Sequence, residues 1–447
     1  MIKVFALLSA ALGYFIGVLR PGVVIALAFQ AYDYESLFGS PAFGMVMNLI
    51  PIGLAGLYLF WKKSFSLHII DGVFFLFVLW FSISVLRAPQ VGSAFDSYLK
   101  FLILGPGYYF AARTFLRTAK DCNQFARDFL WATIILTLIF GLSAESNQWG
   151  NRTAIGEATA VGTSVALNSA LCSILFYLIG EKTWRLLPNK QIDTIACVIF
   201  AALVLNFIII NGTRGAILGP GVAFIAFSVI FIFARLERSF KLVYVGLALL
   251  GVICLPIMMT LVAEAVADLP STVLAPRFKS AILNLTATIT GAEKYTAFDP
   301  STSSRLYLYK VAFEMISEAP IFGFGFEAYK TRMGNYPHNL FLELWTDHGV
   351  VSIVIFLWFA LWAFWIGLRN ALFGPVLAYQ RIFFGIALGT FVQMQVSLTI
   401  TFAKALFFGL GALIAAESLR LLDHRRQRLA ALTPPAPTGP KILTTYR

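Results

Sequence analysis

Apolar residues run along this chain in long blocks, separated by short polar connectors. A helix needs roughly 20 apolar residues to cross the ~30 Å hydrocarbon layer of a bilayer. Blocks of about that length fall near residues 44–61, 68–86, 97–116, 124–143, 158–180, 191–210, 214–235, 240–263, 349–369, 377–398 and 401–418, with one more near 4–19. A shorter run, 22–38, is interrupted at Pro21 and Gly22, which predicts a broken or re-entrant element. Backbone groups in lipid must be satisfied within the segment, so the blocks predict helices. The expectation is an all-α integral membrane protein with about twelve transmembrane helices.

Composition agrees and narrows the class. Hydrophobic residues make up 59% of the 447 residues and charged residues 13%, which excludes an ordinary soluble globular protein. The net charge of +12 sits mainly in alternate connectors: Lys62 and Lys63; Arg113, Arg117 and Lys120; Lys182, Arg185 and Lys190; Arg235, Arg238 and Lys241; and the tail from Arg420. The positive-inside bias places these connectors in the cytoplasm, together with both termini if the spans number twelve. The charge then reports topology and attraction to anionic membrane lipids, and predicts no nucleic-acid partner. The start at Met1–Tyr14 has no small-residue cleavage pattern, so an uncleaved span is expected. Cys122 is expected in a connector and Cys172, Cys197 and Cys254 inside spans, without metal-ligand spacing; they are expected to pack as small apolar residues.

One connector is long. Residues 264–348 lie on the outer, periplasmic side in this topology, and a loop of ~85 residues usually carries function. The expected organisation is therefore a transmembrane bundle over 1–263 (about ten spans), a large periplasmic loop over 264–348, C-terminal transmembrane helices over 349–418, and a basic flexible tail over 419–447. Inside the loop, Ser301–Ser304 offer helix N-caps ahead of an amphipathic stretch from Arg305 to Ile316, ended by Pro320. A turn follows at Gly323-Phe324-Gly325. Pro337 then opens a second short helix, 338–348, ended at Gly349.

Four histidines occur in the chain, and His338 stands where this second helix begins beside the membrane. A helix N-terminus disfavours imidazolium and predicts a neutral ring near pH 7. Such a ring can take a proton from an attacking hydroxyl or donate a hydrogen bond to a phosphate; both roles remain open. Arg214 begins a span at the outer face, against the positive-inside bias, and Arg305 lies in a first helical turn, against the helix dipole. Guanidinium groups placed against preference are candidates for binding an anion, and they suit phosphate oxygens better than lysine does. Lys100 extends this surface or pairs with Asp96 four residues away, and Arg152 is a further outer-face cation. Asn339 and Glu343 are spaced to brace one another. Gln393, Gln395 and Lys404 are polar near the outer ends of neighbouring spans, where helix–helix hydrogen bonding and substrate binding both explain them. His348 is expected at an interfacial helix end.

The order of these features resembles the O-antigen ligase and polymerase superfamily of membrane glycosyltransferases. The residues that carry the resemblance are Arg305 on a helix, Pro320-Ile321-Phe322-Gly323-Phe324-Gly325, His338-Asn339 with an acidic residue and Gly349, and Asn211-Gly212-Thr213-Arg214-Gly215-Ala216 at a span's outer end. It extends over roughly residues 190–415, with Thr213 where many relatives have serine. The resemblance implies transfer of a glycan from undecaprenyl pyrophosphate to lipid A core oligosaccharide, at the periplasmic face of a Gram-negative inner membrane. It further implies inversion at the anomeric carbon, no metal or other cofactor, and functional roles for Arg214, Arg305 and His338. Lys100, Arg152, Asn339, Gln395 and Lys404 are secondary candidates for contacts to the pyrophosphate. Alternatives are an O-antigen polymerase, a protein O-oligosaccharyltransferase, or, from another class, a lipid-linked sugar transporter.

Overall fold

The computed structural model describes residues 20–62, 67–141, 145–146, 153–154, 160–178, 184–211, 214–235, 300–373 and 378–432, with scattered positions between 7 and 16. The predicted 4–19 span falls mostly outside these residues, and 240–263 and the first part of the long loop fall wholly outside them. The described chain is almost entirely helical. Its strands are one antiparallel pair of two residues each, β1 (Glu145–Ser146) and β2 (Thr153–Ala154).

The run 22–38 is broken, as its sequence predicts, but at a different place. Pro21 starts α1 (Pro21–Phe29) at a position where its missing N–H is harmless. The break comes at Gln30, before α2 (Ala31–Phe38), which ends on Gly39 at φ 63°. A break leaves carbonyls without helical partners. Lys404 fills that need, donating from Nζ to the Ala28 carbonyl at 2.6 Å.

Helices α3 (Pro41–Lys62) and α4 (Ile69–Val85) follow. His68 caps α4 by accepting the Ile70 N–H, and Asp71 returns a bond to the His68 N–H. The block 97–116 is not one straight span. It forms α5 (Val91–Leu102), a π-turn over Ile103–Gly107 containing Pro106, and α6 (Tyr108–Phe115). Proline withholds an N–H and widens the turn, and the paired glycines allow it.

Next come α7 (Ala119–Gly141), α8 (Ala160–Leu178), α9 (Lys190–Asn211) and α10 (Arg214–Arg235). Beyond the undescribed stretch are α11 (Pro300–Glu318), α12 (Ala328–Met333), α13 (Leu340–Phe373), α14 (Ala378–Gln393) and α15 (Lys404–Leu432). Among the described residues, five helices are long and apolar enough to cross a membrane: Pro41–Trp61, Ala119–Gly141, Lys190–Ile208, Leu340–Asn370 and Lys404–Asp423. Ile69–Val85, Gly162–Leu178 and Gly215–Ala226 are apolar but shorter. The expected count of about twelve is not reached among these residues, partly because backbone breaks divide several apolar blocks.

Two large apolar cores organise the bundle. One joins α1, α7, α8, α14 and one side of α15; the other joins α4, α5, α13 and the opposite side of α15. α15 is the axis both share. On α13 the stripe Val354, Trp358, Leu361 and Trp365 stays exposed, the pattern of a face turned to lipid. His348, expected at an interface, is instead buried, stacked on Phe81 with ring centroids 3.8 Å apart and bonded to the Ser84 hydroxyl at 2.6 Å.

The loop's second half docks through a break in α13. Gly349 there takes φ 73°, and a Cβ at this position would collide with the Ile321 carbonyl. The segment Pro320–Gly325 occupies that break: Val350 N–H donates to Pro320 O at 3.0 Å, and Phe324 and Gly325 donate to Thr346 O and Asp347 O at 3.0 and 2.8 Å. Arg87 fastens the same turn from α4's end, donating to Phe322 O at 2.8 Å. A small core of Leu308, Val311, Ala312, Met315, Tyr329 and Leu342 holds α11 and α12 to the start of α13.

Candidate active site

The candidate site is organised by a stretch read from sequence as the ends of two spans. α14 stops at Gln393, α15 begins at Lys404, and the residues between run irregularly into a 3-10 turn over Ile400–Phe402. Irregular backbone persists in such a bundle only when other protein groups satisfy it. Here those groups come from residues 336–343. Tyr336 donates its hydroxyl to Ser397 O at 3.0 Å, Asn339 Nδ2 to Gln395 O at 3.2 Å, and Leu340 N–H to Met394 O at 3.1 Å. The Glu343 carboxylate receives the Thr399 hydroxyl and the Ile400 N–H.

His338 is held between these ties. Its backbone sits at φ 57°, a left-handed conformation uncommon for a residue with a side chain and costing on the order of 1–3 kcal/mol. The flanking hydrogen bonds at Tyr336 and Asn339 overdetermine it. The half-buried ring lies 4.3 Å from the Tyr336 ring, and its Nδ1 is buried without a hydrogen-bond partner among the described residues. Burial, then the charge of Arg305, lowers the imidazole pKa to about 4. The expected neutral ring is thus present, for another reason than a helix dipole: α13 starts two residues later, and its cap is Asn339.

Arg305 lies one turn further along its helix than the sequence suggests. α11 already starts at Pro300, so Ser301–Ser304 form the first turn and do not precede it. Its guanidinium acts electrostatically on both His338 and Tyr336, which brings loop helix and histidine into one site. Arg214 arrives through its neighbour. A Cβ on Gly215 would lie 3.1 Å from Ser397 Cβ, so the first turn of α10 abuts the linker residue that anchors Tyr336. The backbone beside Arg214 thus meets Ser397, which accepts from Tyr336, and Arg305 acts through its charge on Tyr336 and His338.

A hollow of about 260 Å³ opens beside this cluster. Lys100, Glu327, Lys330, Tyr336, Glu343 and Thr401 contribute polar groups to its wall. Lys100 is exposed there, and no ion pair joins it to Asp96. Glu327, also left-handed at φ 58°, accepts from Ser97 Oγ at 2.7 Å and Lys330 Nζ at 2.6 Å.

The remaining candidates have definite places. Asn339 is the N-cap of α13, its Oδ1 accepting from Phe341 and Leu342 N–H at 3.0 and 3.1 Å. With Nδ2 on the linker, its amide is engaged at both ends, and it does not brace Glu343. Gln395 turns its Nε2 onto Phe391 O at 3.1 Å, leaving Oε1 buried without a partner among the described residues. Lys404 is fully buried, between Ala28 O and Asn48 Oδ1 (3.1 Å) and over the Tyr32 ring; it is a tie inside the bundle. Gln393 bridges Ser164, at 2.9 Å, and Asn168. Arg152 lies outside the described residues.

Tyr336 and the irregular path of the 394–402 linker were not expected from the sequence, which singled out only Gln395 there. Polar residues Gln395, Ser397, Thr399 and Thr401 recur through the end of an apolar block, and that recurrence was the available signal. Among the described residues no three His, Cys, Asp or Glu side chains are grouped as a metal site would need.

No curated protein matches this chain. Residues 199–357 match the family described as O-antigen ligase, the stretch that holds Arg214, Arg305 and His338. Over that stretch the chain is similar to the O-antigen ligase family, and its long apolar helices are those of a multi-pass membrane protein.

Proposed function

We propose that the chain is an O-antigen ligase, moving a glycan from undecaprenyl pyrophosphate to lipid A core oligosaccharide at the periplasmic face of the inner membrane. The observation that carries this reading is the neutral, strapped His338 within the field of Arg305, beside the start of α10 at Arg214. An oxygen of the acceptor sugar attacks the donor's anomeric carbon from the face opposite the pyrophosphate, which inverts that carbon. The new glycosidic C–O bond forms as the bond to pyrophosphate breaks. The electron pair leaves with the pyrophosphate, and the hydroxyl proton passes to His338. Arg214 and Arg305 stabilise charge developing on the leaving oxygens, and Lys100 adds to the same field. The arginines supply this stabilisation without a metal ion.

Purified protein in detergent with EDTA, given undecaprenyl-pyrophosphate glycan and lipid A core, should place glycan on the core. Arg214→Ala should lower that transfer by at least ~100-fold while the protein still inserts. Elongation of the lipid-linked glycan instead would make the chain a polymerase, and full activity of Arg214→Ala would remove that residue from the mechanism.

A further inference from the structure

A second hollow of about 190 Å³ adjoins the first, and the two share Lys100 and Phe402 on their walls. Its other side is built by Tyr32 and Glu35 of α2 and by Gly44 and Met45 of α3. Glu35 is half-buried, and its carboxylate takes no hydrogen bond from the described residues, although Lys404 and Lys100 act on it as charges. A Cβ on Gly44 would strike this carboxylate, so glycine is what allows Glu35 to lie along α3. The Tyr32 hydroxyl also has no partner among the described residues. Its ring meets Phe402 edge-on, with centroids 5.5 Å apart at 74°. Asn48, by contrast, is already engaged with Gly44 O, the Tyr108 hydroxyl and Lys404.

These features select a ligand class. A polyprenyl or acyl chain would strip water from Glu35 and Tyr32 and return no hydrogen bond. A cation would meet the Lys100 ammonium, and an anion would meet Glu35. A neutral polyhydroxylated ring fits all of them: its hydroxyls donate to the carboxylate and accept from Lys100, while its C–H faces lie on Tyr32 and Phe402. The hollow is smaller than the ~300 Å³ and more of drug-sized sites, which suits a single ring.

We propose that this second hollow is a sugar subsite holding one pyranose ring of the donor or the acceptor glycan, with Glu35 and Tyr32 determining which ring is accepted. The assignment rests on the glycosyl-transfer reading above. Two variants of the full-length protein test it. Glu35→Gln removes the charge at constant volume, and Met45→Trp fills the hollow from a position 48% exposed. In each, KM for one glycan substrate should rise at least ~10-fold with kcat changed by less than about threefold. The substrate whose KM moves identifies the source of the ring. Unchanged KM for both substrates in both variants overturns the subsite. If Glu35→Gln does not fold, Met45→Trp decides alone. Should the wild-type protein show no transfer at all, the ligase reading fails, and binding of deacylated core and O-antigen oligosaccharides, followed by tryptophan fluorescence, decides the subsite. Binding by wild type that weakens in the folded variants keeps it; no binding by wild type ends it.

Discussion

His338 joins three properties at one residue: a left-handed backbone, a buried Nδ1 without a partner among the described residues, and a pKa lowered to about 4. Each alone has structural explanations. Together they describe a ring kept neutral and aimed by strain that the flanking hydrogen bonds of Tyr336 and Asn339 sustain. His338→Ala should reduce kcat by roughly 100-fold or more with the protein still folded, read in the purified transfer assay. The sign of the pH dependence follows from the lowered value. The neutral form persists well below the ordinary imidazole range, so in the free enzyme the limb from His338 protonation in a kcat/KM profile should lie near pH 4 and not near 6.5. Because the folded pKa is lowered, the stability linked to this ring is complete above the unfolded value and declines as pH falls towards the folded one. An acid limb near 6.5 that disappears in His338→Ala would contradict the burial described here.

At the scale of elements, the fold depends on breaks more than on helices. Gly349 opens α13 so that Pro320–Gly325 can bond into the gap, and with it the whole second half of the loop. Gly349→Ala combines positive φ with a collision at Ile321 O, and should destabilise the protein by at least ~2 kcal/mol, seen as a lower unfolding temperature. The break at Gln30 is managed by Lys404, and that assignment separates a structural lysine from a substrate ligand. Lys404→Met leaves Ala28 O short of a partner, at about 1–3 kcal/mol. Thermal stability should fall while KM of the surviving folded fraction stays the same; the opposite pattern would return Lys404 to the substrate site. Helix limits were readable where apolar runs met charge, as at Lys62 and Arg214. The π-turn at Ile103–Gly107 and the irregular linker after Gln393 were not, because uniform hydrophobicity looks the same whether the backbone is straight or bent.

For the whole molecule, α15 is the shared axis, and exposed apolar stripes such as Val354, Trp358, Leu361 and Trp365 form the outer surface. The charge asymmetry of the connectors predicts that Arg425 and the long loop lie on opposite sides of the bilayer. Cysteines substituted at the exposed positions Lys310 and Arg425 should therefore label from opposite sides in intact cells and inverted vesicles. Labelling from the same side would refute the topology and, with it, a periplasmic site.

The sequence by itself determined that this is a helical membrane protein, and it nominated one loop and Arg214, Arg305 and His338 as candidates, because hydropathy and misplaced charge are local properties. It could not show that the ends of α14 and α15 unwind to receive Tyr336, Asn339 and Leu340, nor that Lys404 turns inward to Ala28. Those outcomes depend on which distant groups satisfy a broken backbone, and only the packed bundle brings such groups within hydrogen-bonding distance.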